Sequence, residues 1–88
     1  MNEATEKIVG EVTNFFAKIS VAGIDLSSGV KVGDTLHFKG ATTDFTQLVE
    51  SMQIDRNQIM EAKAGDSIGI KVKEEVRKGD KIYIVSQS

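Results

Sequence analysis

The sequence predicts an all-β fold, a small six- to seven-stranded closed or nearly closed antiparallel β-barrel, and three observations carry that prediction. Apolar residues recur with period two through most of the chain, as they do when alternate side chains point to opposite faces of a sheet. A four-residue turn pattern appears three times, as Lys31-Val32-Gly33-Asp34, Lys63-Ala64-Gly65-Asp66 and Arg77-Lys78-Gly79-Asp80. Helical spacing is hard to find. The best stretch of helix formers, Gln47 to Lys63, has apolar positions 48, 49, 52, 54, 59 and 60, which do not hold one stripe.

Each strand can be read in order. Ile8, Gly10 and Val12 share one face of the first, with Val9, Glu11 and Thr13 on the other. A hairpin follows with its tip near Phe15-Phe16-Ala17. The inward parity then changes between Ile19-Val21 and Ile24-Leu26, so bulges are expected between Asn14 and Lys18 and again at Ala22-Gly23. Leu36 and Phe38 face in, with Thr35, His37 and Lys39 facing out. Phe45, Gln47 and Val49 lead to Met52 and Ile54 through an irregularity near Glu50-Ser51, and a short turn is expected around Asp55 to Asn57. Ile68, Ile70 and Val72 alternate with Gly69, Lys71 and Lys73, and Ile82 and Ile84 alternate with Tyr83 and Val85.

The repeated turn has a physical reading. Glycine at its third position supplies the positive φ of a type II turn, and the aspartate after it can bond nearby backbone N–H groups as the next strand begins. These are turns and not phosphate-binding loops, because the chain lacks G-x-x-x-x-G-K-[ST] and so no nucleotide is expected. Proline is absent, and the remaining turns rest on Gly, Asn and Asp.

Composition bounds the rest. A chain of 88 residues makes one domain. Its expected organisation is a disordered polar N-terminus over residues 1–6 and a single barrel over 7–86. With 40% hydrophobic and 27% charged residues it falls outside the disordered class. No run approaches the roughly 20 apolar residues of a membrane span, and the acidic opening lacks the basic and apolar regions of a secretory signal. The absence of cysteine rules out disulfides and thiolate metal sites and fits a cytoplasmic location. Net charge is −2, divided unevenly: residues 1–55 hold four basic and eight acidic side chains, residues 56–88 seven and five.

Three segments together resemble a known family. Val30-Lys31-Val32-Gly33-Asp34 matches a V-x-x-G-D strand opening and Val49-Glu50-Ser51-Met52-Gln53 a V-x-S-[LM]-Q strand. Ala62-Lys63-Ala64-Gly65-Asp66-Ser67-Ile68-Gly69 matches an A-x-x-G-[DE]-x-[VI]-G loop and strand. In that order and spacing, over about Lys7 to Val85, the chain resembles the second-domain barrel of translational GTPases such as elongation factor Tu. The Phe45-Thr46-Gln47 approach also resembles the C-terminal barrel appended to some collagenase-like peptidases. The first resemblance implies a stand-alone translation-factor-like barrel without the GTPase domain. It places Glu50 where the tRNA carrier has a glutamate meeting the terminal adenosine, and Ser67 and Gln53 where that factor has an asparagine and an arginine.

The catalytic inventory is poor. His37 is the single histidine, no nucleophile elbow accompanies it, and Glu74-Glu75 would point to opposite faces of a strand. No enzyme activity, no cofactor and no metal site are expected. Binding candidates are Phe15, Phe16 and Lys18 at the hairpin tip, Glu50 and Ser67 from the resemblance, and Lys71, Lys73 and Arg77 as a basic strip. The expectation is a non-catalytic, monomeric module binding RNA (tRNA or rRNA) or a ribonucleoprotein in translation. The alternative is a protein-interaction module that docks onto a separately encoded enzyme such as a collagenase-like peptidase. No membrane partner is expected.

Overall fold

The computed structural model describes residues 4–87. Ten strands follow one another: β1 (Ala4–Phe16), β2 (Val21–Leu26), β3 (Val30–Lys31), β4 (Thr35–Lys39), β5 (Asp44–Leu48), β6 (Met52–Ile54), β7 (Asn57–Ile59), β8 (Glu61–Ala62), β9 (Ser67–Lys71) and β10 (Lys81–Gln87). The described residues contain no helix, in keeping with the all-β expectation. Every strand pairing is antiparallel. Eight strands form one sheet in the order β5-β4-β10-β1-β2-β9-β6-β7, and β3 pairs with β8 in a second, two-stranded sheet.

The closed barrel of six or seven strands is not found. The ladder starts at β5 and stops at β7, and these two edges do not pair. The extra strands β3, β7 and β8 are two or three residues long, too short for alternation to mark them. The sheet nonetheless curls. Laid flat, eight strands at about 4.8 Å spacing would measure about 34 Å across, whereas the two smaller extents of the molecule are 28 and 20 Å. Curling gathers inward residues from across the sheet, among them Phe45 of the edge strand β5 and Met52 of β6 next to the other edge, into one buried cluster with Val12, Ile24, Leu36, Phe38, Ile70 and Ile82. Phe38 and Phe45, paired across β4 and β5, stack with ring centroids 5.0 Å apart. Full burial of side chains of this size stabilises by about 1.5–3 kcal/mol each, which is what a cysteine-free chain must rely on.

The three repeated turns are geometrically alike. Gly33, Gly65 and Gly79 have φ of 101°, 93° and 95°. Asp34, Asp66 and Asp80 each accept a hydrogen bond from the backbone N–H three residues earlier, at 2.9, 3.0 and 2.8 Å. A further regularity ties these turns to the sheet. The glycine N–H of each donates to the carbonyl of a buried residue on another segment, and that residue's N–H donates to the aspartate carbonyl. The receiving residues are Val49, Leu26 and Val12. The turns therefore act as three clips that fix where strands cross.

Several strand details depart from expectation. A bulge between Ile8 and Gly10 turns Ile8 outward, 45% exposed, and puts Val9 inward beside Gly10. The irregularity expected from Asn14 onward sits between Val12 and Asn14, but no bulge occurs at Ala22-Gly23, where burial alternates without a break. The hairpin tip is Ala17–Ser20, not Phe15-Phe16-Ala17, because β1 runs on to Phe16 and pairs it with Val21. β1 opens at Ala4, paired with Gln87, while residues 1–3 of the expected N-terminal segment 1–6 lie outside the described residues.

Candidate functional site

The site is built at the corner where the chain leaves β5 and enters β6. Val49 is buried, and both of its backbone groups are held by the turn at residues 31–34. With Val49 fixed inward, Glu50 and Ser51 round the corner before Met52 joins β9 opposite Ile70. On the facing side the chain continues past β9: Val72 is buried with its N–H on the Ser20 carbonyl, so Lys71 and Lys73 flank it on the other face. The backbone groups of Lys71 and Lys73 that face β5 meet no strand there. They meet a side chain instead. The Gln47 amide nitrogen donates to the Lys71 carbonyl at 2.9 Å, and its oxygen accepts from the Lys73 N–H at 2.9 Å.

Around this strut lies a groove of ≈ 390 Å³ lined by Gln47, Leu48, Glu50, Ser51, Lys71, Val72 and Lys73. A second hollow of ≈ 230 Å³ adjoins it through Ser51 and Lys71 and extends to Ile19, Val21, Gln53 and Gly69. Apolar surface is unusually open here: Leu48 is 51% exposed and Ile19 58%. The cations are also free. The ion pairs among the described residues are His37–Glu6, His37–Asp44 and Lys81–Glu11, which leave Lys71, Lys73 and Glu50 unpaired. Exposed apolar side chains beside unpaired cations and a sheet edge bonded by a single side chain form a surface suited to a peptide or protein partner.

The expected binding residues separate. Glu50, Lys71 and Lys73 line the groove. Phe16, 48% exposed, stands in register with Val21 and Lys71 across three strands and so extends the same face. Phe15 instead packs against the core, and Lys18 is exposed in the hairpin turn. Ser67 lies at the far end of β9 with its hydroxyl donating to Asp25 at 2.7 Å, and it does not reach the groove. Arg77 belongs to the third turn, away from the groove lining. Arg77 is thus separated from Lys71 and Lys73, and Lys81 is paired to Glu11 at 2.7 Å. Sequence reasoning passed over Gln47, Leu48, Ser51 and Ile19. The signal was there in Gln47, a polar residue at an inward position between Phe45 and Val49.

His37 is outward on β4, but it is not idle. Its Nδ1 lies 2.9 Å from Glu6 and its Nε2 2.6 Å from Asp44, so only the imidazolium can donate to both. The Asp44 hydrogen bond raises the His37 pKa above the ordinary value, burial opposes this, and Glu6 adds to the rise. Because carboxylates occupy opposite ring nitrogens, neither nitrogen is turned to a serine, and the two acids do not converge on one point. Among the described residues no cluster of three or more His, Asp or Glu is placed to hold a metal ion.

No family model matches the chain. It is 40% identical over 81 residues to an uncharacterized protease of Methanocaldococcus jannaschii, a match covering 91% of this chain and 20% of that protein. It is 35% identical over 77 residues to a collagenase of Porphyromonas gingivalis, covering 85% and 21%. The chain thus spans about a fifth of the length of these curated relatives. Two crystal structures of the C-terminal domain of a Geobacillus thermoleovorans protein assigned to the U32 peptidases share the fold. Their TM-scores are 0.82 and 0.83 at 20% identity, over 86% and 89% of this chain and 96% and 91% of theirs. These findings overturn the resemblance to elongation factor Tu and with it the translation and RNA-binding expectation. The segments that suggested it include two of the three clip turns, which record how a curled sheet is pinned and not what it binds.

Proposed function

We propose that this domain is a non-catalytic docking module that seats against the body of a collagenase-like peptidase through the groove between β5 and the end of β9. The observation that carries the reading is the extent of the match: 85–91% of this chain corresponds to only 20–21% of a protease and a collagenase. A unit that recurs as a fifth of larger proteins has a surface facing the remainder, and inter-domain surfaces of this kind are typically about 600–1,500 Å² and partly polar. The groove with Leu48, Ile19, Phe16, Lys71 and Lys73 is a mixed surface of that character. The reading applies equally whether the peptidase body lies on the same polypeptide or a separate one.

The test is reconstitution. The four fifths of the Methanocaldococcus jannaschii protease that the match leaves uncovered is purified and titrated with this domain by calorimetry and size-exclusion chromatography. A one-to-one complex with Kd of about 10 µM or tighter, weakened about tenfold or more by Leu48→Asp, is the expected result. No complex at about 100 µM of each component overturns the proposal.

A further inference from the structure

The Gln47 strut defines what kind of ligand the groove takes. A primary amide presents one N–H donor and one carbonyl acceptor, the same pair that a peptide unit presents. Here it satisfies the carbonyl of Lys71 and the N–H of Lys73, two residues on, at equal distances of 2.9 Å. Those are the two groups that one residue of a parallel neighbouring strand would bond. Past Ile70, where β6 leaves β9, the 71–73 segment is therefore a sheet edge whose hydrogen bonds are filled by a side-chain substitute. A side chain on an open groove can rotate away, and an incoming main chain can take its place.

We propose that the groove accepts an extended acidic peptide segment by strand addition, its peptide groups replacing the Gln47 amide at Lys71 and Lys73. This rests on the docking-module reading, and it names the chemistry of the segment that the peptidase body contributes. Strand addition draws affinity from main-chain bonds and specificity from alternate side-chain contacts. Lys71 and Lys73 point to one side of the edge, about 7 Å apart along the chain, the spacing of alternate residues on the added strand. Neither has a carboxylate partner among the described residues, so two acidic side chains at alternate positions of the segment complement them. Leu48 lines the groove and Ile19 the adjoining hollow, both exposed, and they offer apolar contact to the segment's remaining side chains. Glu50 also lines the groove and disfavours a segment that is acidic throughout, so the ligand mixes acidic with apolar residues.

The probe is a blocked nonapeptide alternating glutamate and valine, titrated into the ¹⁵N-labelled domain, with a lysine–valine peptide as control. The glutamate peptide is expected to shift the Lys73 amide and the Gln47 side-chain amide together. Lys71→Glu with Lys73→Glu weakens it by about tenfold or more. Gln47→Ala tightens it, because the internal competitor is gone, whereas a ligand held by surface charge alone is indifferent to that change. Equal binding of the lysine peptide, an unshifted Lys73 amide, or unchanged affinity in Gln47→Ala each overturns the inference. The same variants are then titrated with the peptidase body. If the body binds wild type and the double lysine variant alike, strand addition falls and the docking reading stands. If the body binds neither while the peptide still shifts Lys73, the docking reading falls and the strand site stands.

Discussion

Two residues, half-buried His37 and exposed Gly40, decide how this domain responds to small changes. The His37 clamp joins β1 through Glu6 and β5 through Asp44, so its protonation state bears on both sides of β4 and β10. The His37 pKa is raised in the fold, so its stabilisation is complete below the ordinary value of 6.5 and is lost as pH rises through the folded value. The Asp44 pKa is lowered by the hydrogen bond from His37, so its contribution is present above 3.8 and is lost as pH falls through the folded value. The clamp is therefore strongest between those two limits. The urea midpoint is expected to be higher near pH ~5 than near pH ~8. His37→Gln flattens that difference, and a midpoint equally pH-sensitive in the variant would exclude the clamp as its source. Gly40 presents a different constraint. A Cβ at this position would lie 1.9 Å from the Asp80 carboxylate, which is buried and held to the Arg77 N–H. Gly40→Ala is expected to cost about 1–3 kcal/mol in chemical denaturation, since neither the short aspartate nor the clip turn can give way.

Turns and bulges show which elements can be read from sequence and which cannot. The clip turns were legible because Gly and Asp at fixed positions encode a local backbone geometry, and all three adopt it. Leu36 and Phe38 inward with His37 outward was legible because only one register of β4 buries the apolar pair. Ile8 and Val9 offered no such choice: both are apolar, and the bulge that selects Val9 is set by pairing with β10 more than 70 residues away in sequence. The hairpin between β6 and β7 is the least settled of these elements in its own chemistry. Its two-residue loop, Asp55-Arg56, has φ of 51° and 67°, the positive values of a type I′ turn, with arginine where glycine is favoured. Arg56→Gly is expected to stabilise the domain by about 1 kcal/mol, the approximate cost of holding a side-chain-bearing residue in the left-handed region. A thermal midpoint unchanged or lowered in that variant would show that the Arg56 side chain contributes something the turn geometry does not reveal.

At the scale of the molecule, the curled sheet is interrupted past Ile70, where β6 leaves β9, and the groove lies there. Its parts come from distant segments: Gln47 reaches the 71–73 segment across 24 and 26 positions, and Ile19 arrives from the first hairpin. That is why Lys71 and Lys73 could be named from the sequence, whereas Gln47 stood out only as a polar residue at an inward position; the remote backbone groups it bonds leave no periodic trace. The interruption also sets an order of opening. Ile70 is fully buried and paired on both sides, to Ala22 and to Met52, so releasing its amide requires separating the core. The Lys73 N–H needs only rotation of one glutamine side chain beside open groove. Hydrogen exchange is therefore expected to divide sharply at the end of β9. The amides of Ile68 and Ile82 exchange only with global unfolding, and that of Lys73 through a local opening of far smaller free energy. Gln47→Leu should raise Lys73 exchange further while lowering overall stability by only about 0.5–1.5 kcal/mol per lost bond, because water replaces the amide in an open groove. If Lys73 instead exchanged in step with Ile82, the strut would be part of the cooperative core and the groove would not open without unfolding the sheet around it.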